Sequence, residues 1–229
     1  MNFVELDKEN FDERTNEWLK FIPNNTSNYK FEFNETALFV IDMQNYFLDD
    51  KSSAYFNNSK LIISNINKLI LFAKQNLIPI FYSIHFNELN ENQKANSMVN
   101  WWKKLPQKSS KYCELYDEVI FIKNSNIIYK ETYSIFDHNN LEITLKSKNI
   151  KNIIVSGLKT NLCCESTARD GFLRDFNVLF IADATATNNE FMHLASLTNL
   201  SYGFAKIAIT NNIHKFFIWV RVSPWAEFE

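Results

Sequence analysis

Glycine is scarce in this chain of 229 residues, which contains only Gly157, Gly171 and Gly203. Glycines so far apart cannot form a GxGxxG dinucleotide-binding turn or a Walker A phosphate loop, because both need several glycines within a few residues. The GxSxG turn of many serine hydrolases is absent as well. The sequence thus excludes these glycine-dependent sites, and we expect no cofactor.

Excess charge, cysteine and long apolar runs are also scarce. The formal net charge is -2 and no basic cluster stands out, which argues against nucleic acid or an anionic membrane as a partner. No apolar run approaches the roughly 20 residues that cross a bilayer, and the N-terminal sequence MNFVELDKENFDER does not resemble a signal peptide. Three cysteines, two of them adjacent, form a poor disulfide framework, which predicts a reducing, cytoplasmic setting.

Apolar runs alternate with helical patterns along most of the chain. The patterns predict strands at 36–41, 78–84, 126–129, 152–156, 177–182 and 205–210, and intervening helices at 61–73, 139–146, 161–174 and 189–200. This alternation predicts one α/β domain over residues 1–229, with a doubly wound, six-stranded, mostly parallel sheet and helices on both faces. Residues 1–30 are predicted to form an arm with a helix at 11–21, and residues 86–116 a lid or interface insertion.

Several reactive side chains stand at or just past the ends of predicted strands. Because ligands of parallel sheets bind beyond the carboxyl ends of the strands, Asp42 is a candidate general base. The alternative is a helix N-cap or a solvated turn. Lys130 alone would be a surface charge, and His85 a metal ligand, a substrate contact or a merely hydrogen-bonded side chain. Cys163 and Cys164 fall in the first turn of a predicted helix, where free N–H groups and the helix dipole favour a thiolate.

The insertion at 86–116 contains two adjacent tryptophans, Trp101 and Trp102. Large aromatic side chains can wall an apolar pocket, and they can equally anchor a contact between subunits. The sequence leaves both roles open.

Three segments and a later helix, in order, resemble motifs of the isochorismatase-like cysteine hydrolases, which include nicotinamidases and N-carbamoylsarcosine amidohydrolase. FVIDMQNYF resembles the family's strand followed by D-x-Q and an aromatic residue. IIYKETYSIFDHNNLEITL resembles its lysine followed by S/A-x-F and a helix. IIVSGLKTNLCCESTARDGFLRDFNVLFIADAT resembles its G-x-x-T-x-x-C, T-A-x-D and D-A motifs, and EFMHLASLTNL its H-x-x-x-L helix. The resemblance covers about residues 35–212.

The resemblance implies a catalytic triad of Asp42, Lys130 and Cys163, with Cys164 as a packing residue. It also implies a cis peptide bond at Leu158–Lys159 and an oxyanion hole formed by the backbone N–H groups of Lys159 and Cys163. Residues expected to line the substrate pocket are Gln44, Phe47, His85, Trp101, Trp102 and Phe136. Nicotinamidases carry metal-binding histidines in the segment that reads LDDKSSAYFNN here. Because that segment lacks histidine, neither a metal nor nicotinamide is expected.

These observations predict a cysteine hydrolase that cleaves a C–N bond of a small amide or carbamoyl substrate through a thioester. By resemblance we expect a homo-oligomer, a dimer or a tetramer. One alternative is isochorismatase-type hydrolysis of a vinyl ether, which does not require the thiol in the family. Another is a non-catalytic isochorismatase-like protein that serves as a binding or assembly partner. The intact set of aspartate, lysine and cysteine disfavours both.

Overall fold

The computed structural model describes residues 2–23, 27, 29–88, 97–137 and 140–218. Six strands form one sheet, in the order β3-β2-β1-β4-β5-β6. The strands are β1 (Thr36–Ile41), β2 (Ile80–His85), β3 (Asn126–Lys130), β4 (Asn152–Leu158), β5 (Asn177–Ala186) and β6 (Lys206–Ala208). Each strand pairs in parallel with its neighbours. The predicted doubly wound sheet is confirmed, and its six strands are all parallel.

Seven α-helices accompany the sheet within the described ranges. They are α1 (Phe11–Phe21), α2 (Asn45–Leu48), α3 (Ile63–Gln75), α4 (Ser97–Trp102), α5 (Leu141–Ser147), α6 (Glu165–Leu173) and α7 (Glu190–Gly203). Shorter 3-10 turns lie at Phe33–Glu35, Asn57–Lys60, Lys111–Cys113 and Thr210–Phe216, and a π-helical turn lies at Thr160–Cys164. Among these described helices, none has the length and apolar character needed to span a membrane.

The two central strands mark the place where the chain reverses its direction across the sheet. From β1 the chain passes through α3 to β2 on one side, and from β4 it passes through α6 to β5 on the other. Because such crossovers are right-handed, the two helices cover opposite faces of the sheet. All side chains of β1 and β4 are buried. Open α/β sheets bind their ligands beyond the carboxyl ends of the strands at such a reversal, which here are β1 and β4.

The close approach of these two strands depends on a glycine. Gly157 has a φ of 112°, and a Cβ atom built there would lie 2.0 Å from the carbonyl oxygen of Ile41. No L side chain fits this position. The sequence predicts that β4 ends at residue 156, with Gly157 just beyond it. In the structure Gly157 instead lies inside the strand. The strand continues because, after a register shift, Gly157 and Leu158 still pair with β5 residues.

The segment after β4 also differs from the predicted helix. It opens with the π-helical turn, in which the N–H of Cys164 donates to the carbonyl of Lys159, five residues earlier. The regular helix α6 starts only at Glu165. The insertion holds α4 and the 3-10 turn Lys111–Cys113, while residues 89–96 lie outside the described residues. After β6 the chain forms the 3-10 turn Thr210–Phe216, whereas the Ile213–Val220 pattern predicts a short final helix; residues 219–229 lie outside the described residues.

Candidate active site

Asp42 follows β1 directly and is fully buried. Its φ of 50° turns the chain away from the strand, so its side chain stays at the sheet edge instead of capping a helix. The Ser83 hydroxyl, on the neighbouring strand β2, donates to Asp42 Oδ1 at 2.6 Å. The Lys130 ammonium donates to Asp42 Oδ2 at 2.8 Å. Both carboxylate oxygens are thus held by donors, which fixes the orientation of the Asp42 side chain.

Lys130 ends β3, two strands away from β1, and it is buried rather than solvated. Its ammonium also donates to the Thr132 carbonyl at 3.0 Å. Burial alone would lower the pKa of Lys130, but the Asp42 carboxylate and the Cys163 sulfur raise it above its usual range. A buried lysine that keeps its charge in this way supplies a fixed positive charge beside the other two groups.

Cys163 completes the cluster from the π-helical turn. Only 4% of the residue is exposed, and its thiol lies close enough to Asp42 and Lys130 for both to act on its pKa. The pKa of Cys163 is raised to about 12, chiefly by burial; the Asp42 carboxylate also raises it, whereas Lys130 opposes the rise. The thiolate expected from the helix terminus is therefore not the resting form, because burial and the carboxylate outweigh the helix dipole and the lysine. At rest the sulfur carries a proton that faces a base.

Cys164 points away from this cluster. It is fully buried, and its sulfur lies 3.9 Å from the carbonyl oxygen of Ser156, inside the body of β4. Burial raises the pKa of Cys164 well above its usual range. The two adjacent thiols thus occupy different surroundings, and only Cys163 contacts a base.

The peptide bond between Leu158 and Lys159 is cis. It lies where β4 passes into the π-helical turn, so the backbone N–H of Lys159 and that of Cys163 belong to the two ends of one short loop. The Lys159 side chain leaves this loop over two aromatic rings. Its ammonium lies 4.6 Å from the centroid of Phe56 and 5.7 Å from that of Phe47.

Two of the expected pocket residues, Gln44 and His85, are hydrogen-bonded to each other at the strand ends. The Gln44 amide donates to the carbonyls of His85 and Tyr112, both at 2.9 Å, and its oxygen accepts from the His85 N–H at 2.7 Å. Gln44 therefore ties β1 to β2 and to the insertion. Burial and the charge of Lys130 lower the pKa of His85 to about 4, so its ring is neutral near pH 7.

The four aromatic residues expected to line the pocket lie in three different kinds of surroundings. Phe47 is buried under the Lys159 ammonium, close to the cluster. Phe136 instead lies in the core, at 5.8 Å from the ring of Phe39 and stacked on Phe176. The structure thus gives Phe136 a packing position rather than the expected place in the pocket.

Trp101 and Trp102 lie at the surface, 77% and 40% exposed. The Trp102 indole N–H donates to the Tyr133 hydroxyl at 2.8 Å, which links α4 to the segment after β3. Pocket wall and subunit contact both stay predictions for this pair.

The donors after β1 do not fit a metal ion. Asp49 pairs with Lys111 at 2.9 Å, so a cation already occupies its carboxylate. Within the described ranges, no group of three or more His, Cys, Asp or Glu side chains could hold a metal.

A family model described as an isochorismatase domain matches residues 36–212. The chain belongs to the isochorismatase family. Nicotinamidase 3 of Arabidopsis thaliana is 32% identical over 183 residues, which cover 78% of this chain and 87% of that protein. A ureidoacrylate amidohydrolase of Pseudomonas syringae pv. syringae is 30% identical over 207 residues, 81% of this chain and 80% of that protein.

A solved cysteine hydrolase from Pseudomonas syringae pv. phaseolicola shares the fold, with a TM-score of 0.78 at 24% identity. The match covers 85% of this chain and 96% of that structure. Together with the family match, these likenesses confirm the resemblance and make the chain an isochorismatase-family hydrolase, and thus an enzyme.

Two contacts in this isochorismatase-family hydrolase are not predicted from the sequence. Ser83 orients Asp42, and its only signal is a small polar residue inside the apolar run IPIFYSI. Thr160, in the π-helical turn, lies with its hydroxyl 2.8 Å from Nδ1 of the buried His193. The His193 ring packs 4.5 Å from that of Trp18 in α1. The arm at the N-terminus therefore supports the loop that carries Cys163, a link between distant segments that no local pattern reveals.

Proposed function

We propose that this hydrolase cleaves the C–N bond of a small amide or carbamoyl substrate through a thioester on Cys163. The observation that supports it is the buried cluster in which the Cys163 thiol lies beside the Asp42 carboxylate and its partner, the Lys130 ammonium. A nucleophile, a base within hydrogen-bond reach and a group that orients the base are what covalent acyl transfer requires. The amidohydrolase and nicotinamidase relatives agree with this reaction type.

The first step joins proton transfer to attack. As the sulfur forms a bond to the carbonyl carbon, Asp42 takes the thiol proton and the carbonyl electrons move onto oxygen. The backbone N–H groups of Lys159 and Cys163 stabilise this oxyanion, and one such donor contributes about 3 kcal/mol. Because the resting thiol is protonated, the base is needed at the moment of attack rather than beforehand.

The second step releases the amine and then the acid. The carbonyl reforms, the C–N bond breaks, and Asp42 gives its proton to the leaving nitrogen. Water then attacks the thioester while Asp42 takes a proton from it, the C–S bond breaks, and Asp42 returns that proton to the sulfur. Lys130 keeps its proton throughout, since its part is to hold Asp42 and to balance charge.

Replacing each thiol in turn tests the assignment. Cys163→Ala is expected to lower kcat by more than about 10³-fold, because the nucleophile is lost. Cys164→Ala is expected to keep kcat within about threefold, with a stability loss of roughly 1 kcal/mol from the small cavity it leaves. Ammonia or amine release from a panel of small amides and carbamoyl compounds measures both. The reverse result, with Cys164 essential and Cys163 dispensable, would overturn the proposal.

The two alternatives give different outcomes in the same experiment. A vinyl-ether hydrolase would retain activity on its ether in the Cys163→Ala variant, since the thiol takes no part in that reaction. A binding or assembly protein would turn over no substrate in the panel even with the cluster intact. The contact between the Cys163 thiol and Asp42 favours the amide reaction over both.

A further inference from the structure

The Lys159 side chain places a second positive charge beside the nucleophile. Its ammonium donates to Asn188 Oδ1 at 2.9 Å and rests over the rings of Phe56 and Phe47. Burial lowers the pKa of Lys159, and the Cys163 sulfur, four residues further along the same loop, opposes that change. The Lys159 side chain and the thiol thus leave the same short loop after β4, although the sequence assigns only the backbone N–H of Lys159 to the site.

This charge has no carboxylate to balance it. Among the ion pairs of the described residues, none involves Lys159, whereas Lys130 is paired with Asp42. The faces of aromatic rings attract a cation through their quadrupole and leave its net charge unchanged. A neutral amide oxygen, which is what Asn188 offers, does the same. The surroundings therefore fix the position of the ammonium but keep its charge available.

A purely structural role would be met more simply by an apolar side chain. The two rings under Lys159 are buried, and a leucine or methionine would cover them without bringing a partly desolvated charge. A cation held in place beside a reaction centre, without a counter-ion, is suited to an anionic ligand.

We propose that Lys159 binds an anionic group of the substrate, a carboxylate at the end away from the scissile bond, and so determines specificity. This inference rests on the proposed amide hydrolysis. The N–H of Lys159 faces the oxyanion in that reaction, and the ammonium is carried by the four-carbon stem of the same residue. The carboxylate must therefore lie only a short chain away from the reacting carbonyl. The substrate class is a short amide or urea that ends in a carboxylate.

Paired substrates test this role through a ratio. N-carbamoylglycine and N-ethylurea differ by a carboxylate in place of a methyl group, as do succinamate and butyramide. The protein is expected to favour the carboxylate member by about 10- to 100-fold in kcat/KM, the factor of one charged hydrogen bond. Lys159→Met keeps the stem over the rings and should reduce this ratio to near one, chiefly through KM.

A matched variant controls for the loss of one positive charge. Lys151→Met removes an exposed lysine just before the opposite end of β4, where it pairs with Glu35, and should leave both the activity and the ratio unchanged. A ratio that stays the same in Lys159→Met, or a protein that favours the neutral members, would overturn the inference.

Binding separates this inference from the proposed reaction. In the Cys163→Ala protein, calorimetry is expected to show N-carbamoylglycine or succinamate binding at least about 10-fold more tightly than its neutral partner. Adding Lys159→Met should remove that difference. If no amide is hydrolysed but the difference is found, the proposed reaction fails and the role of Lys159 stands. If amides are hydrolysed without any preference for carboxylates, the reaction stands and the role of Lys159 fails.

Discussion

Replacing Asp42 by asparagine is expected to make Cys163 react faster with an alkylating reagent while it abolishes turnover. The pKa of Cys163 is raised to about 12, chiefly by burial; Lys130 lowers it, and the negative charge of Asp42 contributes to the rise. Asparagine has nearly the same size as aspartate, so burial is preserved while the negative charge is removed. The Lys130 ammonium, deprived of its carboxylate, then becomes the counter-ion of a Cys163 thiolate.

The size of the effect follows from these charges. A charge within about 4–6 Å changes a pKa by about 1 to 3, so the thiolate fraction at pH 7.5 should rise about 10- to 1,000-fold in Asp42→Asn. A less basic thiolate is also a weaker nucleophile, with a Brønsted slope of about 0.4–0.5. The rate of alkylation should therefore increase by about 3- to 30-fold. Turnover should still be lost, because no group remains to carry the proton to the leaving nitrogen.

Iodoacetamide labelling followed by peptide mass spectrometry measures this rate for each cysteine separately. In the unchanged protein, labelling of Cys163 should climb with pH from 7 to 10 without a plateau, because the pKa is about 12. Asp183→Asn serves as the matched control, since it removes another buried carboxylate that holds Thr210 rather than the thiol. Equal or slower labelling in Asp42→Asn would refute the reasoning that Asp42 keeps the resting thiol protonated.

Two further changes address the supports of the site. Ser83→Ala removes the hydroxyl that donates to Asp42 Oδ1 and should lower kcat about 10-fold with little change in KM. The control is Ser156→Ala, which removes a buried hydroxyl that donates to the Phe39 carbonyl and should leave kcat unchanged. Steady-state kinetics separates the two variants, and equal kcat values would contradict the assignment. Glu190→Gln removes the negative charge of a buried carboxylate that accepts hydrogen bonds from Arg14 and Trp18. It should lower the free energy of unfolding by about 3 kcal/mol in urea denaturation. The more exposed Glu17→Gln should cost less than about 1 kcal/mol, and a smaller effect at Glu190 would be inconsistent with the buried pair.

Much of the fold follows from short-range patterns. The helix predicted at 11–21 and the strand predicted at 36–41 are observed as Phe11–Phe21 and Thr36–Ile41. Their boundaries are local, since an apolar period ends at a polar or proline-containing segment. The end of β5 is not local. The strand continues past Asp183 to Ala186 because Thr185 and Ala186 pair with Gly157 and Leu158 of β4 after a register shift.

The candidate site likewise has features that the sequence predicts and features that depend on the whole fold. The sequence predicts that Asp42, Lys130 and Cys163 lie at one edge of the sheet, because the carboxyl ends of parallel strands meet at the same edge. The protonation state of the thiol was not predictable, since the burial that raises its pKa comes from the whole fold and not from the turn alone. Phe136 stands within a family motif in the sequence but packs in the core, because motif neighbours share a segment and not necessarily a face.

The charges of the candidate site connect the mechanism with the proposed substrate. Asp42 and Lys130 balance each other, the resting thiol is neutral, and Lys159 leaves one positive charge over. A substrate with one carboxylate would bring the total for these groups to zero. Attack on the carbonyl only moves a proton from sulfur to Asp42 and negative charge onto oxygen, so the total stays at zero through the tetrahedral stage. A neutral amide would meet the same catalytic groups but would leave the Lys159 charge unbalanced in a partly desolvated place, which is the energetic basis for preferring the anionic member of each pair.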